Sequence, residues 1–370
     1  MQDIYISGTG MWTPPHKISN DELVKSFNTY VELYNSEHSD KISEGSLKAL
    51  EPSSSEFIVK ASGIKNRYVV EKESLLDPTR MKPKIEARSD DQLSFSAEVS
   101  VIAAKEALKN ANLEAKDVDA VIVSAANLQR AYPATAIEVQ EELGIEGFAY
   151  DMMVGCSAST FGISNACSDI ASGKASKVLV ISPELTSGHT NFKNRDGHFI
   201  FGDICTAVVI ERDSKSQNKF KIINTKLKTK FSNNIRNNYG YMNAIENKEY
   251  SESELLFVHH GRNVFKEVMP FVSSLILEQL DENNLKPDDI EQYFLNQANI
   301  TMNAYVIKKL LGDDFPQERA PIVLDEYANT SSAGSLIAFH TCTNLKEGQK
   351  GIICSFGAGY SICSILLEKA

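Results

Sequence analysis

Short, continuously apolar runs alternate with longer segments whose apolar residues recur at helical spacing. Ala120-Val121-Ile122-Val123, Val178-Leu179-Val180-Ile181 and Ala207-Val208-Val209-Ile210 each read as a strand buried on both faces. Gly147 to Met153 predicts another strand, and Tyr293-Phe294-Leu295 a further one. Ala97, Val101, Ala104 and Leu108 predict a helix over 96–110, and helices follow over 135–143, 157–172 and 261–280. Buried strands alternating with helices imply an α/β fold whose sheet is covered on both faces. Ile4-Tyr5-Ile6-Ser7 predicts the first strand, ended by the turn-rich Gly8-Thr9-Gly10. Ser19-Asn20-Asp21-Glu22 opens a short helix through Val24 and Phe27. The polar, serine-rich stretch 29–55 reads as a surface insertion, and 71–90 as a second, charged one. Lys215 to Arg236 breaks the pattern with Lys219, Lys221, Lys226, Lys228 and Lys230, and reads as a solvated face.

The second half repeats the first. Leu108 to Leu113 followed by Asp117-Val118-Asp119 matches Leu280 to Leu285 followed by Asp289-Ile290-Glu291, at an offset of 172 residues. At an offset of 173, Cys156-Ser157 falls on Asn329-Thr330, and Val178 to Ile181 falls on Gly351 to Cys354. This repeat divides the chain into an N-terminal half, 1–213, and a C-terminal half, 214–370. Two similar βα units each offer a helix N-terminus, one headed by Cys156 and the other by Asn329. A pseudo-twofold that joins those ends sets a nucleophile opposite an amide donor.

Ala149 to Gly162 carries the chemistry. A strand ends at Met153, Gly155 turns the chain, and Cys156 stands where a small-residue helix begins. Unpaired N–H groups and the dipole at a helix N-terminus favour the nucleophilic thiolate. A buried structural thiol is the alternative that this stretch alone leaves open. The net charge of −11 argues against nucleic acid as a partner. The six cysteines lack metal-ligand spacing and lie mostly in apolar runs, which suits a reducing cytoplasm without structural disulfides. No uncharged apolar run has the length of a membrane span.

Eight stretches stand in one order along the chain. They are Ile6 to Gly10, Ser62 to Arg67, Val154 to Ser157, Phe201 to Asp203, Gly261 to Lys266, Asn296-Gln297-Ala298-Asn299, Tyr327 to Ser331, and Phe356 to Gly359. Together they resemble the thiolase superfamily and, within it, the ketoacyl-acyl carrier protein synthase III group. The resemblance implies a duplicated βαβαβ fold in five α-β-α-β-α layers and a homodimer. It implies an acyltransferase of fatty acid or related biosynthesis: Cys156 takes an acyl group from acyl-coenzyme A, then condenses it with malonyl-acyl carrier protein. Coenzyme A thioesters enter as substrates, and no cofactor or metal is implied. Asn329 matches the asparagine that hydrogen-bonds the thioester carbonyl, and the N–H groups of Cys156 and Ala358 match an oxyanion hole. Arg195 and Phe57 fall where the family places an arginine and a tryptophan around adenine, and Phe356 falls in the substrate site. Tyr132 matches a loop residue that enters the partner subunit's acyl pocket.

The departures carry information too. The family's catalytic histidine is Asn296 here, and an amide cannot serve as a general base at neutral pH. Thr301 stands in place of a basic residue used for carrier docking, and Ala61 in place of a coenzyme A-site arginine. Tyr132 stands where enzymes that join two long acyl chains carry a glutamate. Three readings follow: the condensing enzyme, an acyltransferase without decarboxylation, and a catalytically weak acyl-coenzyme A-binding subunit. Phe201-Gly202-Asp203 reads as a turn that shapes the pocket, and His259 and His260 as capping or surface residues.

Overall fold

A computed structural model describes residues 3–370. Nine strands form the large sheet: β1 Ile4–Trp12, β2 Ala120–Ala125, β3 Phe148–Met153, β4 Lys177–Glu184, β5 Ile204–Arg212, β6 Phe220–Thr229, β7 Ile290–Leu295, β8 Lys350–Gly357 and β9 Ser361–Lys369. Helices of nine residues or more are α1 Asn20–Glu37, α2 Phe95–Ala111, α3 Thr135–Leu143, α4 Ala158–Ala171, α5 Gly261–Glu282, α6 Ile300–Leu311 and α7 Gly334–Cys342. No helix among the described residues is long and apolar enough to cross a membrane.

The sheet runs β7-β8-β9-β6-β1-β5-β4-β2-β3, and its pairings repeat. β2 is parallel to β4, β4 antiparallel to β5, and β5 antiparallel to β1. In the same way β7 is parallel to β8, β8 antiparallel to β9, and β9 antiparallel to β6. Among the described residues, the two sets are joined in the sheet where Tyr5 pairs Lys221 and Ile6 pairs Phe220. One core cluster holds Ile163 and Ile170 of α4 with Leu336, Ile337 and Phe339 of α7, between strand residues of both sets. A second packs α2 and α3 on the outer face of the first set, and a third packs α5 and α6 on the outer face of the second. The layers are therefore helix, sheet, paired central helices, sheet, helix. The repeat is incomplete at one strand. The counterpart of β3 falls at Pro321 to Glu326, where the Gln297 side-chain oxygen accepts the N–H groups of Val323 and Leu324 at 3.0 and 3.2 Å. A side chain there replaces a neighbouring strand.

Three local expectations are corrected. Gly8-Thr9-Gly10 is no turn; β1 continues through it to Trp12. A Cβ at Gly8 would lie 2.3 Å from the Ala107 carbonyl oxygen, and one at Gly10 2.2 Å from that of Ala103. The glycines let α2 lie directly on the strand. The helix opened by the Ser19/Glu22 capping box runs to Glu37, well into the stretch read as an insertion. Leu23, Phe27 and Val31 continue its buried stripe, and Tyr34 and His38 stack at 4.2 Å on its outer side. The lysine-rich break contains the ten-residue strand β6. Its Lys226 and Lys228 each lie 3.7 Å from Glu278 on α5 rather than facing bulk solvent alone.

Candidate active site

β3 delivers the chain to a single helical turn, Gly155–Ser157, that leads into α4. Gly155 adopts φ +56°, a conformation glycine takes without strain. Its second role is proximity: a Cβ there would stand 3.0 Å from the Ala358 Cβ. A Cβ on Gly357 would come within 2.4 Å of the Cys156 Cβ and 2.9 Å of its sulfur. Cys156 is thus held against the β8–β9 corner by two absent side chains. In the other half, the turn Ser331–Ala333 leads into α7. The Ser159 hydroxyl donates to the Ser332 carbonyl at 2.6 Å, tying the two helix starts together.

A cavity of about 560 Å³ opens onto Cys156, Ser331 and Ala358. Phe201, Phe231, Tyr239, Phe257 and Tyr360 give it an aromatic wall. Phe231 and Tyr239 are 84 % and 81 % exposed, which puts them on its open side. Burial pushes the Cys156 thiol above its ordinary range, opposed by the N–H of Ala358, the Ser331 hydroxyl and its own N–H. The rise runs against the thiolate preference read from the helix N-terminus. Desolvation pushes the half-buried Cys167 and the buried Cys354 up to about 12.

Asn329 is pinned by backbone. Its N–H donates to the Ile200 carbonyl at 2.9 Å, and its carbonyl accepts the Gly202 N–H at 3.1 Å. Its Oδ1 caps the Ser331 N–H at 2.9 Å, leaving Nδ2 without a hydrogen bond among the described residues. The Phe201-Gly202-Asp203 turn is the partner in this bridge. Asp203, fully buried, accepts from Ser187 and Val70, and burial raises its carboxyl to about 6. The turn positions Asn329 and contributes Phe201 to the cavity wall.

Asn296 is 1 % exposed. One N–H of its Nδ2 donates to the Phe356 carbonyl at 2.8 Å, and its Oδ1 is buried without a partner. Phe356 itself does not line the cavity. Its ring sits 1 % exposed in the outer core beneath α5 and α6, which corrects its assignment to the substrate site. Arg195 and Phe57 do come together, the guanidinium 4.2 Å from the ring centroid. That spacing leaves no room for a base between them, so an adenine would stack on an outer face or part the pair. Phe57 packs on a satellite core cluster with α1, and neither residue lines the Cys156 cavity. Tyr132 is 84 % exposed and meets nothing of its own chain's cavity. His260 occupies the N-cap position of α5 without a capping bond, and His259 stacks on Phe257.

Ser331, Glu184 and His189 escaped the sequence reading. Ser331 is a non-glycine residue at φ +52°, a strain that only the backbone reveals. Glu184 ends β4 and is 1 % exposed, buried where a strand-end glutamate would ordinarily face solvent. His189 lines the cavity between Phe201 and Phe257, and burial lowers it to about 4.

Comparison with known proteins adds to this geometry. Residues 150–230 match the family described as 3-oxoacyl-[acyl-carrier-protein] synthase III, and residues 280–369 match its C-terminal part. A beta-ketodecanoyl-[acyl-carrier-protein] synthase of Pseudomonas aeruginosa is 50 % identical over 94 % of this chain and 100 % of its own. A beta-ketoacyl-[acyl-carrier-protein] synthase III of Methylococcus capsulatus is 29 % identical over 98 % of each chain. Among solved structures, a 3-oxoacyl-[acyl-carrier-protein] synthase III from Aquifex aeolicus superposes with a TM-score of 0.76 at 24 % identity, covering 99 % of both chains.

Proposed function

Because this chain belongs to the 3-oxoacyl-acyl carrier protein synthase III family, we propose that it is a condensing acyltransferase whose nucleophile is Cys156. The Cys156 sulfur attacks the carbonyl of an acyl-coenzyme A, the carbon–sulfur bond to coenzyme A breaks, and an acyl-enzyme remains. Malonyl on an acyl carrier protein then loses carbon dioxide. Its carbanion attacks the acyl carbonyl and releases the Cys156 thiolate, giving a 3-ketoacyl thioester on the carrier. The N–H groups of Cys156 and Ala358 serve the oxyanion of each tetrahedral intermediate. The free Nδ2 of Asn329 and the second N–H of Asn296 serve the malonyl thioester oxygen as charge gathers there. Arg195 and Phe57 hold the adenine end of coenzyme A. No cofactor is needed, and the enzyme works in the cytoplasm as a homodimer.

A medium-length primer suits the site. The relative named for a ketodecanoyl product implies an eight-carbon primer extended by two carbons, and the aromatic cavity beside Cys156 offers such a chain an apolar wall. The observation that carries the reading is Cys156 lodged in that cavity between the Ala358 N–H and the start of α4. Intact-protein mass spectrometry after incubation with octanoyl-coenzyme A should show one acyl adduct, lost in Cys156→Ala. Labelled malonyl-acyl carrier protein should then release carbon dioxide. An adduct on another cysteine would sink the assignment.

Asn296 keeps a second reading open: acyl transfer to an alcohol, amine or thiol without decarboxylation. One of its N–H groups is already committed to the Phe356 carbonyl, so it gives the malonyl step less than a histidine would. Acyl transfer from the loaded enzyme with no carbon dioxide released selects this reading.

A further inference from the structure

Acylation of Cys156 needs somewhere to put the thiol proton. Burial holds the thiol protonated near neutral pH, and the residue at the family's histidine position is an amide that accepts no proton. His189 shares the cavity, but its ring is held by Asn127 and two phenylalanines, and no contact ties it to the sulfur. Glu184 is different. It is 1 % exposed, and its carboxylate accepts the Ala126 N–H on both oxygens, at 3.1 and 3.2 Å. It also accepts the N–H of Ser332 at 3.2 Å and the Ser332 hydroxyl. These donors fix it beneath the turn that carries Ser331.

Ser331 adjoins Ser332, which binds the carboxylate, and belongs to the lining of the thiol's cavity. It is 1 % exposed, and its hydroxyl oxygen has no hydrogen-bond partner among the described residues. A buried hydroxyl without a fixed partner is rare and costly, and this one occupies a strained left-handed conformation as well. The Ser331 hydroxyl favours the ionised forms of the Cys156 thiol and the Glu184 carboxyl, against the burial that raises both. With no partner to fix it, this hydroxyl is free to rotate.

We propose that Ser331 and Glu184 form the proton path of the nucleophile, in place of the base that Asn296 cannot be. The proposal rests on Cys156 being the acylated residue. As the sulfur lone pair forms a bond to the thioester carbonyl carbon, the thiol proton passes to the Ser331 oxygen and the Ser331 proton passes to Glu184. When the carbon–sulfur bond to coenzyme A breaks, the same path returns a proton to the leaving thiolate. The thiol proton ends on coenzyme A, and both side chains are restored. Desolvation raises the Glu184 carboxyl to about 7, which suits a proton acceptor working near neutrality. The other ionisable groups that feel its charge are thiols, Cys156 and Cys205 on β5, and both stay protonated there.

The test is the pH profile of Cys156 acylation by octanoyl-coenzyme A, followed by stopped-flow quench and mass spectrometry. In the wild type the rate should rise through about pH 7 as Glu184 ionises, then level off. Ser331→Gly removes the hydroxyl and suits the positive φ, so the variant should fold. It should acylate about 10²-fold more slowly at pH 7, with a rate that keeps climbing toward the thiol's own titration. Glu184→Gln should show the same profile. A Ser331→Gly variant with wild-type rate, or with a parallel profile lowered equally at every pH, overturns the path while leaving the nucleophile in place. No acyl mass on Cys156 in the wild type at any pH overturns the nucleophile, and the path with it.

Discussion

Gly357 leaves beside Cys156 a space that any side chain would fill. A methyl there would press on both the β-carbon and the sulfur of the nucleophile, and neither can retreat, because Gly155 is already seated against Ala358. Gly357→Ala should displace the sulfur and cut acylation by about 10²-fold or more, while costing about 1–3 kcal/mol of stability. Burst-phase acylation and urea unfolding read the two effects, and an unchanged burst would show that the glycine is not what seats the thiol. At Asn296 the expectation runs the other way. The amide gives the site a donor but no proton acceptor, so Asn296→His should raise carbon dioxide release from malonyl thioester by about 10- to 10³-fold. The comparison is made at matched acyl-enzyme occupancy, and a histidine variant no faster than this chain would show the amide to be sufficient. At this scale Cys156 and Asn329 are legible from the repeat and the stretches around them, and the Arg195–Phe57 pair only from the family resemblance. Ser331 and Glu184 stayed hidden. Their significance lies in burial and a positive φ, and neither quantity is written in residue identity.

Elements were legible where apolar residues run together or recur at one period, and misread where glycine or lysine interrupts them. β2, β4, β5, α3 and α5 all stand within a few residues of where the pattern puts them. In β1, glycines signal close approach of α2 rather than a turn. In β6, lysines hide a strand whose alternate pairing is supplied by β9 and whose charges are met by α5. The β1 reading is open to measurement. Gly10→Ala should force α2 off the strand and cost about 1–3 kcal/mol in urea unfolding. Gly261→Ala, whose new methyl would sit 3.5 Å from the His259 ring at a helix start, should stay within about 0.5 kcal/mol of wild type. Equal effects from the two substitutions would mean that the β1 glycines are not needed for close packing.

The internal repeat, read as an offset of about 173 residues, becomes in the molecule a pair of helix starts that share one cavity, and this joins fold to function. The same fold leaves one end unfinished. β3 is the last strand of the sheet, and its residues are half-exposed along its length, with Met153 at its end 64 % exposed. An open strand edge of this kind is a template for pairing with another chain. Tyr132, at 84 % exposed, projects from the loop just before α3, which packs on that strand. Both features fit a second copy of this chain that covers the β3 edge and receives Tyr132 beside its own Cys156 cavity. Light scattering at micromolar concentration should therefore give twice the chain mass. Tyr132→Ala should keep that mass but shift the preferred acyl-coenzyme A toward longer chains, because a large ring would be removed from the partner's pocket. A panel of acyl-coenzyme A thioesters scored by adduct mass reads the shift. A monomer in solution would leave the edge without its partner, and a dimer whose chain-length preference ignores Tyr132 would place that ring outside the pocket.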